Sequence, residues 1–180
     1  APLAELASSA EKVEQGVPLS PALDGALLHG TSIGGARPKA SLHDGERRLI
    51  AKFSSTTDSF PMVQGEFVAM ELARLAGLDA ASVELTSALG KKVLLVERFD
   101  RDANGGRRSM VSAATILGLD EIGGMYASYA DLAERVRARF TSPKPTLREL
   151  FGRIVFNILT SNTDDHARNH AAFVVDDHLL

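Results

Sequence analysis

The sequence predicts an α+β protein of two lobes, an N-terminal sheet lobe over residues 1–100 and the start of a helical lobe over 101–180. Three observations lead there. Strand-like runs separated by turn-forming pairs concentrate before residue 100, and helical periodicity dominates after it. A polar segment, Asn162–His170, then follows directly on the clearest helix.

Leu3, Leu6, Ala7, Ala10 and Val13 recur at helical spacing, so an amphipathic helix opens the chain, and Gly16, Pro18 and Pro21 end it. Residues 30–39 are too glycine-rich for a regular element. Lys39–His43 and Arg47–Phe53 flank Asp44-Gly45, a hairpin signal. Residues 60–76 read as a helix closed by Gly77. Two further strands, 82–87 and 92–97, surround Leu89-Gly90, and Asp102–Gly106 is a loop.

Helices are expected at about 109–118, 128–140 and 146–160. In the third, Thr146 and Glu149 form a capping box, and Leu147, Leu150, Phe151, Ile154 and Ile158 line one face. Ala171–Val175 reads as a strand running into a turn at Asp176-Asp177. No internal repeat is visible.

Composition bounds the function. Hydrophobic residues make up 44% and charged residues 24% of 180 residues, an ordinary globular profile. A net charge of −3 offers no basic field for gripping nucleic acid directly. The absence of cysteine excludes disulfides and thiolate metal sites and suits a cytoplasmic location. No apolar run reaches the roughly 20 residues of a membrane span. The chain starts at Ala1 and stops at Leu180 within an apolar run, so it is expected to be part of a longer protein.

Four features could carry chemistry. Gly30 and Gly35 have the spacing of a Walker A loop, but Ala36-Arg37 stand where Lys and Ser/Thr belong, so that reading fails. What remains is either a surface loop or a backbone able to approach a polyphosphate, with Arg37 and Lys39 adding positive charge. Lys52 ends an apolar strand, and Glu66 lies on the next helix. Kinases hold the α- and β-phosphates with such a lysine and fix it with such a carboxylate. Alone, the pair is weak evidence, because a surface position is the commoner fate of both residue types.

Asp164 and Asn169 have the D-x-x-x-x-N spacing of the kinase catalytic loop, a frequent pattern in isolation. There the Asp handles the substrate hydroxyl and the Asn holds magnesium. The fourth feature competes with it. His166 and His170, four apart beside Asp164 and Asp165, could describe a metal hydrolase, but Ala167 stands where the zincin pattern needs Glu.

Taken together, GTSIGGARPKA (30–40), IAKF (50–53), QGEFVAMELARLAGL (64–78), LLVERFDR (94–101) and FNILTSNTDDHARNH (156–170) resemble the HipA family of serine/threonine protein kinases, the toxins of toxin–antitoxin pairs. The resemblance covers about Leu3 to Val175 and implies a two-lobed protein-kinase-like fold lacking segments at both ends. It implies ATP and Mg²⁺ as cofactors. Gly34, Gly35, Ala36, Arg37, Pro38 and Lys39 would form the loop over the phosphates, Lys52 would bind them, and Glu66 would steady Lys52. Glu97, Arg98 and Phe99 would be the hinge whose backbone pairs with adenine. Asp164 would be catalytic, Asn169 a metal ligand, His166 a contact near the phosphates and Ser32 a site of autophosphorylation.

The implied partners are a HipB-like DNA-binding antitoxin and a protein substrate such as an aminoacyl-tRNA synthetase, with no direct nucleic-acid binding and no membrane. The second metal-binding aspartate of the family is expected beyond Leu180, and no metal role passes to Asp176 or Asp177. The alternative is a non-catalytic nucleotide-binding pseudokinase or an antitoxin-linked regulator.

Overall fold

A computed structural model describes residues 3–15, 17, 39–55, 58–101, 106–120, 123, 126–176 and 178–180. The chain forms two compact units, Ala1–Gly105 and Gly106–Leu180. The expected phosphate loop through Pro38, Ser32 just before it, the 102–105 segment and Asp177 lie outside the described residues.

The first unit is built on a four-stranded antiparallel sheet in the order β1-β2-β4-β3. Its strands are β1 (Lys39–Asp44), β2 (Arg47–Phe53), β3 (Val83–Ala88) and β4 (Lys91–Glu97). Asp44 pairs with Arg47, so the hairpin turn is Gly45-Glu46, one residue later than the Asp-Gly pair suggests. Gly45 takes φ +59, which the first position of a tight hairpin turn asks of glycine. The β3–β4 turn puts both Leu89 and Gly90 at positive φ, a conformation leucine rarely accepts.

Helix α1 (Leu3–Glu14) packs Leu6, Ala7 and Ala10 against Ala40, Ala51, Phe53 and Val93. The alanines on both sides let helix and sheet approach closely. Helix α2 (Met62–Leu75) lies along β3 and β4. It ends in a Schellman motif: the amide of Gly77 (φ +82) donates to Arg74 O, and that of Leu78 to Ala73 O.

The second unit holds α3 (Ala113–Leu117), α4 (Tyr129–Arg139), α5 (Pro143–Leu159) and a small antiparallel sheet, β5 (Met110–Ser112), β6 (Ala171–Val175) and β7 (His178–Leu179). That sheet corrects the expectation of a helix from residue 109. Met110–Ser112 pairs with Phe173–Ala171, and Ser112 then caps α3 by accepting from Thr115 N at 3.2 Å.

α5 also starts three residues early. Pro143 sits in its first turn, where a missing N–H costs nothing. Thr146 therefore lies inside the helix and donates to Ser142 O, while Glu149 pairs with Arg153 instead of closing a capping box. Of the expected apolar face, Leu150 is buried, with Ile154 packed beside it, but Phe151 and Ile158 are exposed.

Candidate functional site

In the first unit, register places Lys39 directly opposite Lys52. Directly opposed residues share a face of the sheet with Cβ atoms about 5 Å apart. The Lys52 ammonium forms an ion pair with the Glu66 carboxylate of α2, both about one-third exposed. Lys39 is only 7% exposed. Burial first, and then the Lys52 cation, push its pKa below the ordinary lysine value, while Glu66 pulls it back up. Two lysines and one glutamate thus share one face, an arrangement that suits an anion with several negative oxygens.

The expected hinge residues follow β4. Glu97 N donates to Ser82 O at 2.9 Å and Arg98 N donates to Arg48 O at 2.8 Å. Both amides are thereby engaged within the unit. Phe99 exposes its ring. Sequence reasoning missed the lock that follows. The Arg98 guanidinium grips both Asp100 carboxylate oxygens, at 2.8 and 2.6 Å, and Arg101 also pairs with that group. The bond from Arg98 holds the Asp100 carboxyl below the usual carboxylate range, against the opposing effect of burial. A charged i,i+2 pair straight after a strand was the available signal.

In the second unit, the segment after α5 is fixed at many points. Ala167 is buried with Ala113, Ala114, Leu132 and Leu150. The Ala113 and Ala114 amides at the start of α3 donate to His170 O and Ala167 O at 2.8 and 3.1 Å. Against that rigid base the Asp164 carboxylate is 92% exposed. Its backbone is tied on both sides: Asp164 N donates to Asn162 Oδ1 at 3.2 Å, and Asn169 Nδ2 donates to Asp164 O at 2.6 Å. Asn169 therefore keeps its Oδ1 lone pairs as the groups it could offer a cation.

His166 Nδ1 accepts from Arg168 N at 3.3 Å, which in the neutral ring puts the proton on Nε2, 4.0 Å from Asp164 Oδ1. His170 points elsewhere, its Nε2 lying 2.9 Å from Asp165 Oδ1. That contact is close but poorly aligned as a hydrogen bond. The two histidines thus turn to different partners, and among the described residues no group of three or more His, Asp or Glu converges as metal ligands. Asp176 sits at φ +47 in the β6–β7 turn.

The residues present fit Mg²⁺ and ATP in kind. Magnesium takes oxygen ligands, commonly a carboxylate or two together with substrate phosphates. In the second unit the Asn169 amide oxygen would suit the ion, and in the first unit the Lys39 and Lys52 ammonium groups would suit phosphate oxygens.

The family of HipA-like C-terminal domains matches residues 31–179. A relative named "Putative kinase Y4mE", from Sinorhizobium fredii, is 31% identical, with 92% of this chain and 44% of its own length covered. The serine/threonine-protein kinase toxin HipA of Shewanella oneidensis is 28% identical, with 79% and 39% covered. The chain thus spans less than half the length of either relative.

Among solved structures, Shewanella oneidensis HipA, in complex with HipB and operator DNA, superposes with a TM-score of 0.65 at 24% identity, over 82% of this chain and 41% of that one. The Helicobacter pylori proinflammatory kinase CtkA superposes with a TM-score of 0.66 at 19% identity, over 82% and 52%. The fold is therefore the mixed helix-and-sheet, kinase-like fold of the HipA type. Among the described residues no helix is long and apolar enough to cross a membrane.

Proposed function

The chain belongs to the family of HipA-like C-terminal domains, and on that premise we propose that its protein is an ATP- and Mg²⁺-dependent serine/threonine protein kinase. The single observation that carries this reading is the Asp164 loop. A carboxylate held out to solvent on a backbone tied at both its N–H and its carbonyl is what positioning a nucleophile requires.

The proposed chemistry uses each group once. Lys52, steadied by Glu66, neutralises oxygens of the nucleotide phosphates, and Lys39 adds charge beside it. Asp164 orients the substrate serine hydroxyl and takes its proton as the new O–P bond forms and the bond from the γ-phosphorus to the ADP oxygen breaks. Asn169, through Oδ1, would help to hold magnesium, which when bound supplies neutralising charge to the phosphates. Ser32 would be the site of autophosphorylation.

The same reading makes the protein the toxin of a toxin–antitoxin pair. Its partner would be a HipB-like antitoxin, as in the solved Shewanella complex. Its substrate would be a protein of the translation apparatus, such as an aminoacyl-tRNA synthetase. Any DNA contact would then come through the antitoxin, and the site of action would be the cytoplasm.

The test is transfer of γ-phosphate by the full-length protein, with and without Mg²⁺, in wild type and Lys52→Met. Magnesium-dependent transfer to serine, strongly reduced in Lys52→Met, is expected. Tight ATP binding without any transfer would favour the non-catalytic alternative.

A further inference from the structure

Asp165, the neighbour of Asp164, has no part in the chemistry above. Its carboxylate is nevertheless firmly held. Its side chain is 10% exposed. Three elements converge on it. Tyr129 of α4 donates its hydroxyl to Oδ2, and Asn157 of α5 donates Nδ2 to the same oxygen at 2.7 Å. His170, at the entry to β6, brings Nε2 within 2.9 Å of Oδ1. The Tyr129 and His170 rings also meet edge to face, with centroids 5.9 Å apart.

Asn157 passes this anchor on to the loop. While Nδ2 donates to Asp165, its Oδ1 accepts from Asn162 Nδ2 at 3.1 Å, and its backbone carbonyl accepts from Asn162 N at 2.9 Å. Asn162 Oδ1 in turn accepts the Asp164 amide. A closed circuit therefore runs from the Asp165 carboxylate through Asn157 and Asn162 to the Asp164 backbone, and returns along the chain.

Burying a carboxylate is costly, and a buried charge network contributes little stability that well-packed apolar residues could not supply. What such a network does provide is a single fixed geometry. We propose that Asp165 is a positioning residue, and that its bonds to Tyr129 and Asn157, with Asn162 as relay, set the place from which the Asp164 carboxylate meets a substrate hydroxyl.

The assignment rests on the kinase reading, and the test separates the two. In the full-length protein, Asp165→Ala, Asp165→Asn, Asn157→Ala and Asp164→Asn are compared for kcat, nucleotide KM and thermal unfolding. Asp165→Ala should lower kcat by roughly 10- to 100-fold, the scale on which a small misplacement acts. Its nucleotide KM should stay within about twofold, because the lost interaction belongs to the transfer step. Asp165→Asn should recover most of that loss. An amide oxygen can still accept from Tyr129 and Asn157, and its NH₂ can face a neutral His170. A merely structural role would not give this split between kcat and KM together with rescue by asparagine.

If Asp165→Ala does not fold, Asn157→Ala decides, with a kcat lowered by about 10-fold expected. Wild-type kcat in a folded Asp165→Ala or Asn157→Ala protein, beside an inactive Asp164→Asn, overturns the positioning role. Wild-type kcat in Asp164→Asn overturns the kinase reading beneath it.

Discussion

Lys39 faces Lys52 directly across the β1–β2 ladder, and Glu66 forms its ion pair with the second of the two. Like charges placed opposite each other oppose pairing. Their retention on one face is an electrostatic cost that a bound polyphosphate would relieve.

Removing Lys52 should therefore act on both ligand and neighbour. Lys52→Met should weaken Mg-ATP binding by roughly 10- to 100-fold, the value of a charge-assisted bond. Lys39 has its pKa lowered by burial and then by Lys52. Between that lowered folded value and the unfolded one, the unfolded chain holds more protons, so stability rises with pH through the window. In Lys52→Met the Lys39 value should move up and the rise should flatten. Denaturant midpoints measured against alkaline pH report this, and identical slopes in the two proteins would contradict it.

Tyr129 titrates in the opposite sense. Burial, and then its bond to Asp165, push its pKa up to about 12. A folded value above the unfolded one, about 10, gives a contribution that is fully present below pH ~10. That contribution is lost as pH rises through about 12. Spectrophotometric titration of tyrosinate should show a component near 12 that disappears in Tyr129→Phe. The variant should also lose about 1–3 kcal/mol at neutral pH, since Asp165 keeps its burial but loses a donor.

Much of the first unit was legible because local chemistry fixes it. Turn pairs delimited both hairpins, and Gly77 marked the end of α2. In the second unit the errors have one cause, local signals overruled by others. The Thr146/Glu149 pattern is present in the sequence, yet Pro143 allows α5 to begin earlier. Met110–Ser112 is too short to announce a strand, and its partner β6 is distant in sequence. The spacing of Asp164 and Asn169 pointed to one loop, and the loop does join them through Asn169 Nδ2 and Asp164 O. The anchoring of Asp165 was missed because its partners come from α4, α5 and the entry to β6, a convergence that no linear motif expresses.

One face of α5 should govern the behaviour of residues 1–180 on their own. Phe151, Val155, Ile158 and Leu159 recur at helical spacing and are all exposed, Ile158 at 72% and Leu159 at 77%. A contiguous apolar stripe of this kind promotes association. The isolated segment should bind a hydrophobic dye and self-associate at micromolar concentration. Phe151→Ser combined with Ile158→Ser should reduce both, with stability changed by no more than about 0.5 kcal/mol per site. Unchanged sedimentation behaviour in the double variant would count against the stripe.

Asp164 is proposed to act on the nucleophile in a phosphoryl transfer, and its exposure makes that role separable from folding. Side-chain exposure of 92% means that Asp164→Asn removes a charge without disturbing packing. The most direct measurement is the single-turnover rate of γ-phosphate transfer by full-length Asp164→Asn, read beside its unfolding temperature. The expected rate is lower by about 10²- to 10⁴-fold, the usual scale for a lost general base, with the unfolding temperature unchanged. A wild-type rate from the folded variant would contradict it.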